Sequence, residues 1–237
     1  ILAIPPAVQD NTVAEFRRFV KASGHRARAV RRGHSMVYDE RGGNFVHRSG
    51  VDWRHDHLGR LAVDDMPVLH VSARDAEAYA HWLSEASRQR YRLPSEAEFE
   101  YALRTGAPGH YPWGDRPPTR GVGNITGGGD HSPSGRTWGN AFVGYVDRYW
   151  GPAPVAQFRA NAFDIHDLEG NVREWVADCW HDGYRRAPTQ GEAWVNPAMR
   201  LPRSRAKRSA KKNASSSTSP GRSRSGGTTI GTTLRRK

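Results

Sequence analysis

The chain has 237 residues, enough for one large domain or two small ones, and carries 36 Lys and Arg against 24 Asp and Glu. Residues 200–237 hold 12 of the basic residues and no acidic one, which leaves 24 basic and 24 acidic residues in 1–199. The formal net charge of +12 therefore belongs to the tail, and composition argues against a polyanion-binding globular part. No apolar run is long enough to span a membrane, and a single cysteine, Cys179, excludes an internal disulfide or a CxxC metal site.

The two ends of the chain are irregular. Residues 200–237 contain no Trp, Tyr or Phe and are rich in Ser, Arg, Lys, Gly and Thr, so we predict a disordered tail. This tail is interpreted either as a basic arm for nucleic acid or acidic membrane, or as a frameshift product beginning after Val195-Asn196-Pro197. At the other end, Ile1–Pro6 lacks an initiator Met and is too short for a signal peptide, so we expect a fragment and assign no compartment.

The first predicted element is an amphipathic helix over Thr12–Lys21, with Val13, Phe16 and Phe19 on one face. Residues 24–65 show no helical period and are punctuated by glycines, which indicates short strands and loops. Within them, His55 and His57 have the spacing of metal ligands. Without a third ligand nearby, we interpret them instead as surface polar groups.

Two further helices are indicated by their caps. Pro67–Val71 is an apolar, strand-like run, after which Ser72 is a suitable N-cap with Asp75 in the first turn. Ser95-Glu96-Ala97-Glu98 has the pattern of a capping box and predicts a helix that ends near Thr105. A catalytic role for Glu96, Glu98 and Glu100 is a weaker interpretation, because capping and solvation account for them.

Residues 106–160 are rich in Gly and Pro with scattered aromatic residues, as in irregular loops that a bound cation would organise. The segment that follows, Asp167-Leu-Glu-Gly-Asn-Val-Arg-Glu-Trp175, alternates without a clean apolar face. Gly170 permits a tight turn, and the carboxylates of Asp167 and Glu174 bracket it. Such an oxygen-rich turn suits a hard divalent cation. The alternative is a β-turn with solvated acids.

Phrases in this chain resemble, in the same order, those of the formylglycine-generating enzyme (sulfatase-modifying factor) family. The central one, LEGNVREW, is similar to the family's LYDMxGNVWEW. The others are PVLHVS (67–72), YRLPSEAEFEYA (91–102), YPWGD (111–115), GPAPV (151–155) and DCWHD (178–182). The resemblance covers residues 11–196. It predicts a family domain over 1–199, lacking the family's PGGxFxMG phrase before it and its GGSW-type phrase after it, followed by the tail of residues 200–237.

The resemblance implies an α+β fold, a variant of the C-type-lectin fold with little regular secondary structure. It also implies two structural calcium ions. The implied ligands of the first ion are Asn124, Ile125, Asp147 and Tyr149, and those of the second are Asp167, Gly170, Val172 and Glu174. Arg173 departs from the tryptophan that is usual in the family and places a cation beside Glu174.

The family's oxidases convert a sulfatase cysteine to formylglycine with molecular oxygen and copper held by two cysteines. This chain has only Cys179, which we interpret as a small buried apolar side chain, so copper is not expected and no catalytic residue is assigned. The HxxxHxE iron motif of related sulfoxide synthases is also absent. We therefore expect an inactive family domain, with a protein or peptide such as a sulfatase as the implied partner and no specific nucleic acid. The alternatives are a calcium-stabilised, lectin-like binding module and a nucleic-acid binder acting through its tail.

Overall fold

A computed structural model of the chain describes residues 9–107 and 109–195, together with the backbone of 204–207. Its elements in chain order are α1 (Val13–Ser23), α2 (Arg28–Arg32), β1 (His34–Asp39), β2 (Asn44–Ser49), α3 (Ala73–Ser87), α4 (Glu96–Arg104), β3 (Glu174–Cys179) and β4 (Ser204–Lys207). Helices and strands are thus mixed and much of the chain is irregular, which confirms the predicted α+β class.

The first helix confirms the amphipathic prediction. Thr12 caps it: the Thr12 hydroxyl accepts from the Glu15 N–H at 3.1 Å, while the Glu15 carboxylate accepts from the Thr12 N–H at 2.9 Å. Its apolar face is buried against α3, where the rings of Phe16 and Phe19 pack around Tyr79. Burial of these aromatic rings is the main stabilisation of this part of the core.

The predicted N-cap of α3 and the predicted capping box of α4 are also present, and the cap of α3 is a capping box as well. Ser72 pairs with Asp75, and Ser95 with Glu98, before α4 ends at Thr105 in the left-handed conformation. Residues 67–71 differ from the strand-like prediction: they are buried, but only Pro67 forms a β-bridge, to Thr12. The apolar run therefore reflects burial and not sheet pairing.

Residues 24–65 form a short helix and a hairpin. Strands β1 and β2 pair antiparallel from His34–Ser49 to Asp39–Asn44, as short strands were predicted. The helix α2 was not predicted, because its five residues are too few to display a period, and Gly33 ends it at a φ of 73°.

Strand β3 lies between two apolar clusters, which explains why its alternation lacks a clean apolar face. Trp175 belongs to the cluster built by α1 and α3, and Val176 to a second cluster around Phe99 and Leu168. The Trp175 indole N–H also donates to the Val71 carbonyl at 3.2 Å. Both faces of the strand are therefore buried.

Strand β4 pairs antiparallel with β3 and comes from the predicted tail. At Ser204–Lys207 the backbone thus differs from the disorder expected for residues 200–237. The rest of that prediction, and the interpretation of Ile1–Pro6, lie outside the described residues. Among the described residues, no helix has the length and apolar character needed to cross a membrane.

Candidate metal centre

Glycine allows residues 123–130 to lie directly against other backbone. A Cβ on Gly127 would lie 2.5 Å from the Tyr145 carbonyl oxygen, and one on Gly123 would lie 2.8 Å from the Glu169 carbonyl oxygen. Gly127 also forms a parallel β-bridge with Phe142. The glycine-rich sequence therefore brings three distant segments into contact, where larger residues would hold them apart.

The first predicted ligand set is brought together in these loops. The Asp147 carboxylate accepts hydrogen bonds from the N–H of Ile125 at 2.9 Å and from the N–H of Tyr149 at 2.8 Å. The fourth member, Asn124, precedes Ile125, and its side-chain nitrogen donates to the Gly151 carbonyl at 2.9 Å. Two of the predicted residues, Ile125 and Tyr149, thus bond to the Asp147 carboxylate, and Asn124 is the neighbour of Ile125 in sequence.

Burial raises the pKa of Asp147 to about 7, although the N–H groups of Tyr149 and Ile125 act in the opposite direction. The negative charge of Asp130 adds to the increase. Only 7 % of Asp147 is exposed. Two buried acids in contact with the same loop are an environment that a nearby cation would stabilise.

Asp130 is a residue that the sequence analysis missed. Its buried carboxylate accepts from the N–H of Asp147 at 3.2 Å and from the N–H of Arg148 at 2.9 Å, and Arg148 has a φ of 74°. Asp130 therefore fixes the backbone that carries Asp147. Its place directly after three consecutive glycines was the only sequence signal.

The second predicted ligand set begins at a strained turn. Asp167 has a φ of 63°, and its carboxylate accepts from the Ala156 N–H at 2.8 Å. Gly170 lies so close to Asn124 that a Cβ there would overlap the Asn124 carbonyl oxygen. Val172 follows, and Glu174 begins β3 with only 3 % of its surface exposed. Asp167 is equally buried at 3 %, so the alternative of solvated acids is wrong.

Asn171 connects the two ligand sets. Its N–H donates to the Asn124 carbonyl at 2.9 Å, and its side-chain oxygen accepts from the Asn124 side-chain nitrogen at 3.1 Å. The same oxygen accepts from the Ala153 N–H at 2.8 Å. Asn171 was not predicted as a site residue, yet it joins segments that are far apart in the chain.

The chemistry of these donors fits a hard cation. The acidic side chains Asp147, Asp167 and Glu174 are buried, and the remaining predicted donors are an amide side chain and backbone carbonyls. Calcium is bound by such oxygen ligands. In the described part of the chain, no three His, Cys, Asp or Glu side chains are grouped closely enough to hold a metal on their own. Each candidate centre therefore depends on carbonyl oxygens.

The other candidate ligands do not form a centre. Cys179 is a free, buried thiol with 3 % exposure, as expected for a small core residue. His55 and His57 are partly buried, not on the surface as predicted: His55 bonds to Asp52, and the His57 ring packs against Gly151. Burial lowers the pKa of His57, which keeps its ring neutral.

The comparison with known families decides the relationship. The sequence model described as "Sulfatase-modifying factor enzyme 1-like domain" matches residues 9–222. The chain belongs to this family. The matched range includes part of the predicted tail, and it contains both candidate ligand sets.

Known members of the family are about one-third identical to this chain over the segments that match. The formylglycine-generating enzyme of Mus musculus is 30% identical over 193 residues, covering 70% of this chain and 46% of that protein. Inactive C-alpha-formylglycine-generating enzyme 2 of Mus musculus is 34% identical over 142 residues, covering 56% of this chain and 39% of that protein. The chain thus spans less than half the length of these relatives.

A solved structure has the same fold. PvdO from Pseudomonas aeruginosa superposes with a TM-score of 0.57 at 30% identity, covering 80% of this chain and 62% of that protein. The predicted family fold is therefore confirmed.

Proposed function

We propose that this chain is a calcium-stabilised domain of the formylglycine-generating enzyme family that does not itself oxidise cysteine. The observation that carries this proposal is the single cysteine, Cys179, which is buried in β3. Copper(I) in a protein site prefers soft sulfur ligands, and one chain supplies only one thiolate. The residues present do not fit a copper centre built from a thiolate pair.

Calcium has a structural role in this proposal. Asp147, with Asn124, Ile125 and Tyr149, would hold one ion, and Asp167 and Glu174, with Gly170 and Val172, would hold the other. The ions would compensate buried carboxylate charge in loops that contain no helix. The raised pKa of Asp147 supports this role, because burial without a cation disfavours the charged carboxylate.

A cysteine-containing peptide tests the catalytic part. The purified chain is incubated with a sulfatase-type peptide, oxygen and copper, and the peptide mass is followed. We expect no peptide mass that corresponds to formylglycine, because copper and oxygen by themselves only couple two peptide thiols into a disulfide. Formation of a formylglycine peptide by the original chain, and not by the Cys179→Ala variant, would contradict the proposal, because it would assign redox chemistry to Cys179.

A second candidate function, a non-catalytic binding module for a protein or peptide, is favoured by exposed aromatic side chains after β3. Trp180 is 53% exposed and Tyr184 is 60% exposed, while the Tyr184 hydroxyl is fixed to the Glu96 carboxylate at 2.6 Å. Oriented aromatic side chains of this kind supply contact area at low entropic cost. Binding of an immobilised sulfatase-type peptide should be lost in Trp180→Ala. Val143→Ala, which changes an even more exposed apolar side chain elsewhere in the sequence, should leave binding unaltered.

A further inference from the structure

The first two helices and the connection between them carry a cluster of exposed cations, although the domain as a whole is neutral. Residues 16–38 contain seven Lys and Arg and no Asp or Glu, whereas residues 39–195 contain 17 basic and 22 acidic residues. All seven side chains are exposed: Arg17, Arg18, Lys21, Arg26, Arg28, Arg31 and Arg32. We call these seven residues the basic face. The neutral total of residues 1–199 therefore hides a strong local asymmetry.

Within each helix, several of these charges lie on the same side. Arg17 and Lys21 are four residues apart on α1, and Arg28, Arg31 and Arg32 lie three and four apart on α2. Residues at these spacings are neighbours on one side of a helix. The opposite sides carry buried residues such as Phe16 and Ala29, so the cations are directed away from the core.

A buried carboxylate fixes the connection between the two helices. Asp75 accepts from the Arg28 N–H at 3.1 and 3.2 Å and bonds to the His25 ring at 2.8 Å. Asp75 itself is fully buried in the first turn of α3. Hydrogen bonds to Asp75 therefore hold the backbone between the two helices in place.

Local helix electrostatics do not account for the whole face. Lys21, Arg31 and Arg32 lie in last turns, where cations favour the helix dipole, and Arg17 is paired with Asp64 at 2.5 Å. Arg28, however, lies in the first turn of α2, where a cation is unfavourable. Like charges four residues apart also destabilise a helix. The face thus carries an electrostatic cost that a bound polyanion would relieve.

We propose that the basic face binds the phosphate backbone of duplex nucleic acid without sequence preference. A duplex carries about one charge per 1.7 Å of axis, and Arg, six of the seven residues here, forms paired hydrogen bonds with phosphate. Phe16 and Phe19 are buried, so they cannot stack on bases or insert into a bilayer. The 12 basic residues of 200–237 add to the same attraction.

The test compares two variants of the full chain, each with three basic residues replaced by glutamine. Arg18→Gln, Lys21→Gln and Arg32→Gln together remove three charges from the basic face, and no hydrogen bond of the described structure uses these three side chains. The matched control is Arg116→Gln, Arg120→Gln and Arg185→Gln, which removes three exposed charges elsewhere. Both forms keep residues 200–237, so the contribution of that segment cancels.

Affinity for a fluorescent DNA duplex is measured against salt concentration. Each phosphate contact contributes about 0.9 to the salt slope, so the first variant should lose about 2 to 3 in slope and at least about tenfold in affinity at low salt. The control should keep the slope of the original chain. Equal weakening in both variants would overturn the proposal, since the attraction would then follow net charge alone.

Two further measurements complete the test. In the original chain, duplex should protect the Lys21 amine from acetylation, as read by mass spectrometry, and full labelling of Lys21 in the saturated complex would contradict the assignment. Phosphatidylserine vesicles and polyglutamate serve as other anionic probes. If the first variant loses vesicle or polyglutamate binding but binds duplex as tightly as the control, the proposed partner is wrong.

Discussion

The two halves of this domain are ordered by different means. The helical half, residues 12–104, contains the four helices of the described chain and the β1–β2 hairpin. Three of these helices are capped by side chains that are near them in sequence. The loop half, residues 109–172, contains no helix or strand, and its backbone groups are bonded by distant side chains such as Asp130, Asp147 and Asn171.

The two halves should be destabilised by different changes. Burial of aromatic and aliphatic side chains stabilises the helical half, and a cavity there should cost stability under any condition. The loop half instead buries acids, whose desolvation must be offset by hydrogen bonds and, as we propose, by calcium. Its stability should therefore depend on solution conditions and on single backbone positions.

The largest effect is expected at the turn where the two ligand sets touch. Gly170→Ala would place a methyl group on the Asn124 carbonyl at a backbone φ of 149°, which should cost about 4 kcal/mol or more. Gly24→Ala, at a φ of 67° with open space around it, should cost only about 1 to 2 kcal/mol. Urea denaturation measures both variants. Equal losses would show that the turn is not sterically closed.

Calcium should stabilise the loop half but not the helical half. At a calcium concentration about 100 times its Kd, the ion should stabilise the original chain by about 2.7 kcal/mol, and Asp147→Asn should lose the gain that depends on that site. Phe16→Ala, in the helical core, should cost about 3 to 5 kcal/mol both with and without calcium. Thermal melting with calcium or with a chelator checks this. If calcium raises the melting temperature of Asp147→Asn as much as that of the original chain, the first ligand set is wrong.

A smaller effect is expected at the helix cap. Thr12→Ala removes the hydroxyl that accepts from the Glu15 N–H and should cost about 1 kcal/mol, independently of calcium. Thr12→Ser keeps the hydroxyl and serves as the control. If Ser and Ala destabilise α1 equally in urea denaturation, the cap contributes through packing of the threonine methyl group instead.

The smallest effect is a pH dependence at His70. Burial lowers the pKa of His70 below the value of an unfolded chain, so its contribution to stability is present above about pH 6.5 and is lost as pH falls through the folded pKa. His70→Gln, which can still bond to Ser35 and the Asp56 carbonyl, should flatten this loss. Melting temperatures from pH 7.5 to 5.5 measure it, and parallel curves would exclude a role for His70.

The amino-acid sequence alone was enough to predict the helices that local chemistry encodes. The caps at Ser72 and Ser95 and the spacing of Phe16 and Phe19 specify helices within a few residues, because a helix is stabilised by contacts between near neighbours. The family phrases likewise predicted the two ligand sets, and the single Cys179 is the basis of our proposal that the chain does not oxidise cysteine.

Which charged groups are buried and which lie together depends on the tertiary structure. The sequence clusters seven cations in residues 16–38, and folding leaves all seven exposed. It also brought Asp130 beneath Asp147, and Asn171 beside Asn124 across 47 positions of sequence. No local pattern records such contacts, because burial and long-range hydrogen bonds depend on how distant segments pack.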